Sequence, residues 1–206
     1  MSDTAIRRAL RGDARAIEAA SRDAAERLAA RLAGEAEVAY GYTDSPIGRL
    51  ILAVTDHGLV RLQWIENDED ETLQELADKV SPRILLAPPR LDDVRRELDE
   101  YFAGDRTEFE VPLDMRMAKG FTRKVLEATS RIPFGSVSTY RDVAKRAGSP
   151  RGMRATGNAL GWNRIPIVIP CHRVVRTGGG LGGYGGGLDR KRTLLAIEGV
   201  SFEDGE

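Results

Sequence analysis

The sequence is short of the residues that staple or metallate a fold. It holds 1 cysteine in 206 residues, so no disulfide can close within the chain, which fits a reducing compartment. Its 2 histidines, His57 and His172, and that lone cysteine fall short of the four Cys/His ligands of a structural zinc site. No apolar run approaches membrane-spanning length. The opening stretch MSDTAIRRALRGDARAIEAA carries arginines but no apolar core of signal-peptide length. These absences predict a cytoplasmic protein with no membrane partner and no bound metal.

What is present divides unevenly. Apolar residues make up 41% of the chain, enough for a core in one large domain or two small ones. The formal net charge of −1 conceals a split: residues 1–114 carry 15 Lys+Arg against 25 Asp+Glu, and residues 115–206 carry 16 against 7. A basic half-chain is the electrostatic footprint of a polyanion binder. A solvated basic surface docked on the acidic half is the equally open alternative.

Residues 1–36 read as a helical extension, with Asp13 as a cap after Gly12 and Gly34 as a stop. Ile17, Ala20, Ala24, Leu28 and Leu32 share one face; whether that face docks on the body or on a partner stays open. Residues 37–114 read as a small α+β domain with an antiparallel sheet. EVAYGY, RLILAVT and LVRLQW are separated by turns, His57 sits in the turn DHG, and TEFEVPL reads as a further short strand. The acidic run ENDEDET leads into the helix LQELADKV, and a proline-led helix ends at Gly104.

Residues 115–206 read as a mostly helical domain. GFTRKVLEATSRI places Phe121, Val125, Leu126 and Ile132 near one face. YRDVAKRAG ends at Gly148, and SPRGMRATGNALGWN opens with a Ser-Pro start signal. Two short helices joined by AGSP make a helix-turn-helix candidate, with Arg151 and Arg154 near the start of the second helix, where a recognition helix meets DNA. Any αα-hairpin with a basic face would give the same pattern.

The cysteine stands in IVIPCHRVV. IVI reads as a buried strand that Pro170 stops, placing Cys171 at a strand end. His172 and Arg173 follow, and cationic neighbours lower a thiol's pKa. Adjacent residues of an extended chain point to opposite faces, so a Cys171–His172 contact needs a bend or a bridging water. Among downstream acids, Asp189 reads as the cap of the last helix; Glu198, after the apolar LLAI, is the better partner for His172. Core filler remains the plain alternative for Cys171, and a surface acid for Glu198. GGGLGGYGGG, residues 178–187, contains a formal GxGxxG, but no strand leads directly into it, which argues against a dinucleotide site. A linker, or a loop whose backbone approaches a ligand, remains.

Over residues 115–200 the order and spacing of GFTRKVLEATSRIPFGSVSTY, TYRDVAKRAGSPRGMRATGNALGWNRIPIVIPCHRVV and GGYGGGLDRKRTLLAIEG resemble the methylated-DNA–protein-cysteine methyltransferase family, the O6-alkylguanine-DNA alkyltransferases. DSPIGRLILAVTDHGLVRL and RRELDEYFAG resemble the family's N-terminal domain more weakly; residues 1–36 have no counterpart. The resemblance implies repair without a cofactor. An alkyl group passes once, by SN2 displacement, from guanine O6 to Cys171, which His172 deprotonates through a water while Glu198 holds His172. O4-alkylthymine is a further candidate substrate. It also implies a flipped nucleotide and entry through the minor groove, with Arg154 as the finger that fills the stack. Ala155, Gly157 and Ala159 are then the small residues that admit the helix. Tyr140 would rotate the 3′ phosphate and donate to guanine N3. Asn163 would brace the turn under the cysteine, and Pro166, Val174, Tyr184 and Gly185 would form the substrate pocket. The expected partner is duplex DNA carrying O6-alkylguanine, met by a monomer that can assemble cooperatively.

Departures are visible. Gly185 stands where some relatives have serine, and the zinc ligands of some relatives' N-terminal domains are missing. Residues 1–36 are too short for the phosphotriester-sensing activator fused to others. Two rivals stay open: a lesion-binding module without transfer, separable by protein-bound methyl, and a cysteine hydrolase, separable by turnover.

Overall fold

The computed structural model describes residues 36–66 and 69–201; the expected 1–36 helix, with its Asp13 cap and Gly34 stop, lies outside them but for Ala36. Three strands come first: β1 (Val38–Thr43), β2 (Leu50–Thr55) and β3 (Gly58–Trp64). Each pairs antiparallel with the next, with Gly41 opposite Leu52 and Leu52 opposite Leu62. β2 is buried along its whole length, as a central strand of β-branched and apolar residues should be. At the β2–β3 turn Gly58 has φ 119°, and a Cβ there would lie 2.1 Å from the Pro112 carbonyl oxygen, so only glycine fits.

The sheet is mixed rather than wholly antiparallel. After β3 the chain runs through helix α1 (Glu69–Lys79) and returns as β4 (Ile84–Leu86), parallel to β1 at the far edge. A helical crossover, unlike a hairpin, restores strand direction. TEFEVPL does not form a strand either: Leu59–Leu113 is an isolated bridge, and the amides of Glu110 and Val111 donate to the buried Glu97 carboxylate. Helix α2 (Asp92–Ala103) buries Val94, Glu97, Leu98 and Tyr101, an i, i+3, i+4, i+7 stripe, and ends at Gly104 in the left-handed conformation.

The second half carries α3 (Gly120–Thr129), α4 (Tyr140–Arg146), α5 (Met153–Gly161) and α6 (Leu188–Ile197), with a two-stranded parallel pair of β5 (Ser138–Thr139) and β6 (Val174–Val175). Thr139 caps α4 by accepting from the Asp142 amide at 3.1 Å. Helix α5 begins three residues beyond the expected Ser-Pro start, at Met153 rather than Pro150, because the Gly152 amide closes a turn on the Ser149 carbonyl at 2.8 Å. Gly187, not Asp189, precedes α6, and Asp189 lies inside its first turn. Ala159 is buried against Val125, Val143 and Val174, so its smallness serves the helical core, not a groove.

One apolar cluster runs from the sheet and α2 into the second half, joining Leu50, Leu62 and Leu98 to Ile165, Ile167, Ile169 and Leu194. The segment carrying the cysteine is thereby wedged between the two halves.

Candidate active site

Ile167 and Ile169 are buried, as expected, and Val168 half-buried, but the segment forms a turn. The Ile169 amide donates to the Ile165 carbonyl at 2.9 Å, and Ile167 has φ 74°, the one non-glycine residue with positive φ among the described residues. A β-branched residue there costs about 1–3 kcal/mol; burial of its side chain in the shared core offsets that. The turn delivers Cys171 to a 3-10 turn (Cys171–Arg173), supplying the bend that the sequence required between Cys171 and His172.

Asn163 braces this turn with every polar atom. Its Nδ2 donates to the Ile169 carbonyl at 2.9 Å and to Cys171 Sγ at 3.1 Å, and its Oδ1 accepts from the Ile165 amide at 3.0 Å. Cys171 is buried, and burial pushes the thiol up to about 11 against the Asn163 hydrogen bond and the charge of Lys191. The expectation that Arg173 lowers this pKa fails on geometry. The Arg173 guanidinium turns away, donating to the Ile132 carbonyl at 2.6 Å and to both oxygens of Glu198 at 2.8 and 2.9 Å. The resting group is a thiol that needs a base.

A side chain able to act as that base lies within the same turn. His172 is fully buried, its Nε2 is 2.7 Å from Glu198 Oε1, and its Nδ1 has no partner among the described residues. Burial lowers the histidine pKa while Glu198 opposes the shift, so the imidazole is neutral at pH 7. Glu198 also accepts from the Tyr101 hydroxyl at 2.7 Å. Burial raises its carboxyl, but the hydrogen bonds from His172 and Arg173 outweigh this and hold it at about 2. A fixed carboxylate thus orients the imidazole and waits to stabilise its protonated form.

In front of the thiol lies a cavity of about 620 Å³, lined by Tyr140, Arg154, Gly157, Cys171, Tyr184 and Gly185 among others. Asn163 and Pro166 share with Cys171, Tyr184 and Gly185 the lining of a smaller space of about 170 Å³. Ala155 is exposed on α5 and Arg151 on the turn before it; neither lines the cavity. Val174 is buried, and its carbonyl accepts from Lys191 Nζ at 2.6 Å.

The glycine loop is a wall of this cavity. Tyr140 Oη donates to the Gly183 carbonyl at 3.2 Å. A Cβ at Gly182 would lie 2.9 Å from the Tyr140 ring, and one at Gly186 2.7 Å from Trp64, so backbone and aromatic rings meet without room for side chains. Tyr184 stands edge-on to both His172 and Trp64.

Three residues of the site were not singled out from the sequence: Arg173 as the clamp on Glu198, Tyr101 as its second donor, and Lys191. Lys191 is fully buried and donates to the carbonyls of Val174 and Leu181, joining the loop to β6; burial draws its pKa down to about 8. The signal was present as spacing: Lys191, Leu194, Leu195 and Glu198 follow the inward i, i+3, i+4, i+7 stripe.

Fold and site together define a class: a two-part protein that holds one buried thiol, with its own base and carboxylate, behind the second helix of a helix-turn-helix. Comparison with known proteins narrows it. Residues 120–200 match the model of the 6-O-methylguanine DNA methyltransferase DNA binding domain, and residues 38–115 that of the same family's ribonuclease-like domain. The chain is 41% identical to a methylated-DNA–protein-cysteine methyltransferase of Mycolicibacterium paratuberculosis, covering 78% of this chain and 92% of that one. It is 36% identical to the constitutive enzyme of Bacillus subtilis, covering 80% and 98%. The crystal structure of Mycobacterium tuberculosis OGT in complex with DNA superimposes with a TM-score of 0.67 at 38% identity, covering 78% of this chain and 92% of that one. The chain belongs to the methylated-DNA–protein-cysteine methyltransferase family.

Proposed function

We propose that this chain carries out DNA repair by taking an alkyl group from O6-alkylguanine onto Cys171, once per molecule. O4-alkylthymine is a second substrate of the same chemistry. The observation that carries this reading is the Cys171 thiol held by Asn163 at 3.1 Å, backed by the His172–Glu198 pair at 2.7 Å and open to the cavity beneath α5.

Duplex DNA meets the exposed face of α5, where Ala155 and Gly157 present little bulk to the minor groove. Arg141, Lys145, Arg151 and Arg154 are exposed on or beside the two helices and neutralise phosphates. The reacting atom is buried in the stack, so the nucleotide is flipped into the cavity at a cost of a few kcal/mol. Arg154, at the cavity mouth, fills the gap, and Tyr140 rotates the adjoining phosphate.

In the chemical step the thiol proton passes through a water to His172 Nδ1, and the imidazolium is stabilised by Glu198. The thiolate attacks the alkyl carbon, an S–C bond forms and the C–O6 bond breaks with its electron pair moving into the purine. Tyr140 leaves the Gly183 carbonyl to donate toward N3, spreading the developing charge. The departing guanine anion takes a proton from solvent water, and the imidazolium returns the thiol's proton to solvent, so the purine ends as neutral guanine and the charges balance. The backbone of Cys171 and Val174 reads the guanine amine, Pro166, Tyr184 and Gly185 close on the alkyl group, and the thioether does not leave.

The division into a 1–36 extension, a 37–114 α+β domain and a 115–206 DNA-binding, alkyl-accepting domain belongs to the same proposal. So do a monomeric state, cooperative assembly on DNA and a cytoplasmic site of action. Among the described residues no helix is long and apolar enough to cross a membrane. The test uses duplex with a labelled O6-methyl group, offered to the wild type, Cys171→Ser and His172→Ala. Label is expected on the wild type, slowly on His172→Ala and not on Cys171→Ser. Label on Cys171→Ser would overturn the assignment.

A further inference from the structure

Asn163 also lines a further cavity of about 250 Å³, whose walls come from both halves of the protein and do not include Cys171. The alkyl-transfer chemistry makes no use of it. Its deep walls are apolar: Val60, Met117, Leu126, Ile165 and Ile169. Its rim is cationic. Glu75 alone accepts from Arg61 at 2.6 Å, Lys79 at 2.6 Å and Arg164 at 2.8 Å. Asp114 is taken up by Arg116 at 2.7 Å and Thr55 at 2.6 Å. Lys119 lines the mouth, exposed. Glu71, on α1, also acts on Arg61. Of the charged side chains that line the cavity, Lys79, Lys119 and Arg164 stand against Glu75 and Asp114, an excess of one positive charge. Arg164 Nε is buried with no partner among the described residues. The Trp162 ring, 56% exposed, stands at the opening with the Arg164 guanidinium 4.6 Å from its centroid.

An apolar chamber with a few convergent cationic groups is the general form of a small-ligand site. We infer that this cavity binds a small amphipathic anion, an aryl- or alkyl-carboxylate, with its apolar body against Val60, Leu126 and Ile169 and its carboxylate toward Lys119 and Arg164. A fully apolar ligand leaves the cationic rim unanswered, and an inorganic anion leaves the apolar walls empty. Asn163 lines this cavity and also donates to Cys171 Sγ at 3.1 Å, so the two sites share one residue. The inference does not depend on the alkyl-transfer reading, because its test measures binding alone.

The probe is 4-phenylbutyrate, titrated into the full-length protein by calorimetry and by tryptophan fluorescence. One saturable site is expected, with a fluorescence change from Trp162. The neutral 4-phenylbutanamide should bind about tenfold more weakly, as should the acid to Lys119→Glu, a surface change that leaves the core alone; tenfold corresponds to about 1.4 kcal/mol. Ala118→Phe, which fills the chamber, should abolish binding. Absence of saturable binding, equal affinity for acid and amide, or an unchanged affinity in Lys119→Glu would overturn the inference. Should Ala118→Phe fail to fold, the amide and Lys119→Glu comparisons decide alone.

Discussion

Replacing Glu198 with Gln keeps the shape of the side chain and removes its charge, which isolates what the carboxylate contributes. In the fold its pKa is held at about 2 against an ordinary 4.5. A depressed acid contributes stability that is present above its unfolded pKa and lost as pH falls through the folded value. At pH 7 the shift corresponds to about 3 kcal/mol at ~1.4 kcal/mol per unit. The substitution also leaves the buried Arg173 guanidinium facing a neutral amide, and breaking a buried pair costs about 3–5 kcal/mol. These are two views of one interaction, so the expected loss is about 3–5 kcal/mol in total, or ~6–20 °C in Tm for a chain of this size. Urea unfolding at pH 7, followed by tryptophan fluorescence, measures it. Arg173→Gln and the double variant complete a cycle, in which a coupling of about 2 kcal/mol or more is expected. Alkyl transfer should also slow by roughly 10²–10⁴, because the imidazolium loses its counter-charge. A Glu198→Gln protein within about 1 kcal/mol of wild type would refute the reasoning, since the carboxylate would then be an ordinary surface acid.

Arg154→Ala should impair repair of duplex far more than reaction with free O6-benzylguanine, because only duplex needs the vacated stack filled; equal losses on the two substrates would remove the finger assignment. His172 has its pKa lowered by burial, so the transfer rate should be flat through pH 7 and fall on an acid limb whose midpoint lies below 6.5, and a midpoint at or above 6.5 would contradict a buried neutral base. Gly185→Ser should leave Tm unchanged, since a Cβ there meets nothing within 4 Å, while altering the relative rates on methyl and benzyl substrates. Gly186→Ala should instead lower Tm and slow transfer together, because its Cβ would press on the Trp64 and Tyr184 rings at 2.7 and 2.9 Å.

The parts of this protein that were legible in its sequence are those set by local chemistry. The proline lead and the stop at Gly104 mark α2 on their own, and Cys171, His172 and Glu198 carry the site in their residue types and order. What stayed hidden depends on tertiary contacts. Ile167, Val168 and Ile169 look like a strand because they are β-branched, yet the shared core holds Ile167 in a left-handed turn that no local preference favours. β4 is three residues long and pairs across a helix crossover, beyond the reach of any local pattern. Arg173 is two residues from Cys171 in sequence, which suggested a depressed thiol pKa; the buried carboxylate of Glu198, just after α6, claims it instead, and burial raises the thiol. Lys191 lay on a readable inward stripe, but its role comes from carbonyls of a glycine loop whose path the sequence does not specify.

The central claim is that Cys171 is consumed, one alkyl group to one protein molecule. Intact-protein mass after incubation with excess duplex containing O6-methylguanine tests it most directly, with Cys171→Ser beside it. A single gain of one CH2 unit is expected in the wild type, no gain in the variant, and as much repaired DNA as protein added. Tight binding with no change in mass, or more DNA repaired than protein present, would contradict it.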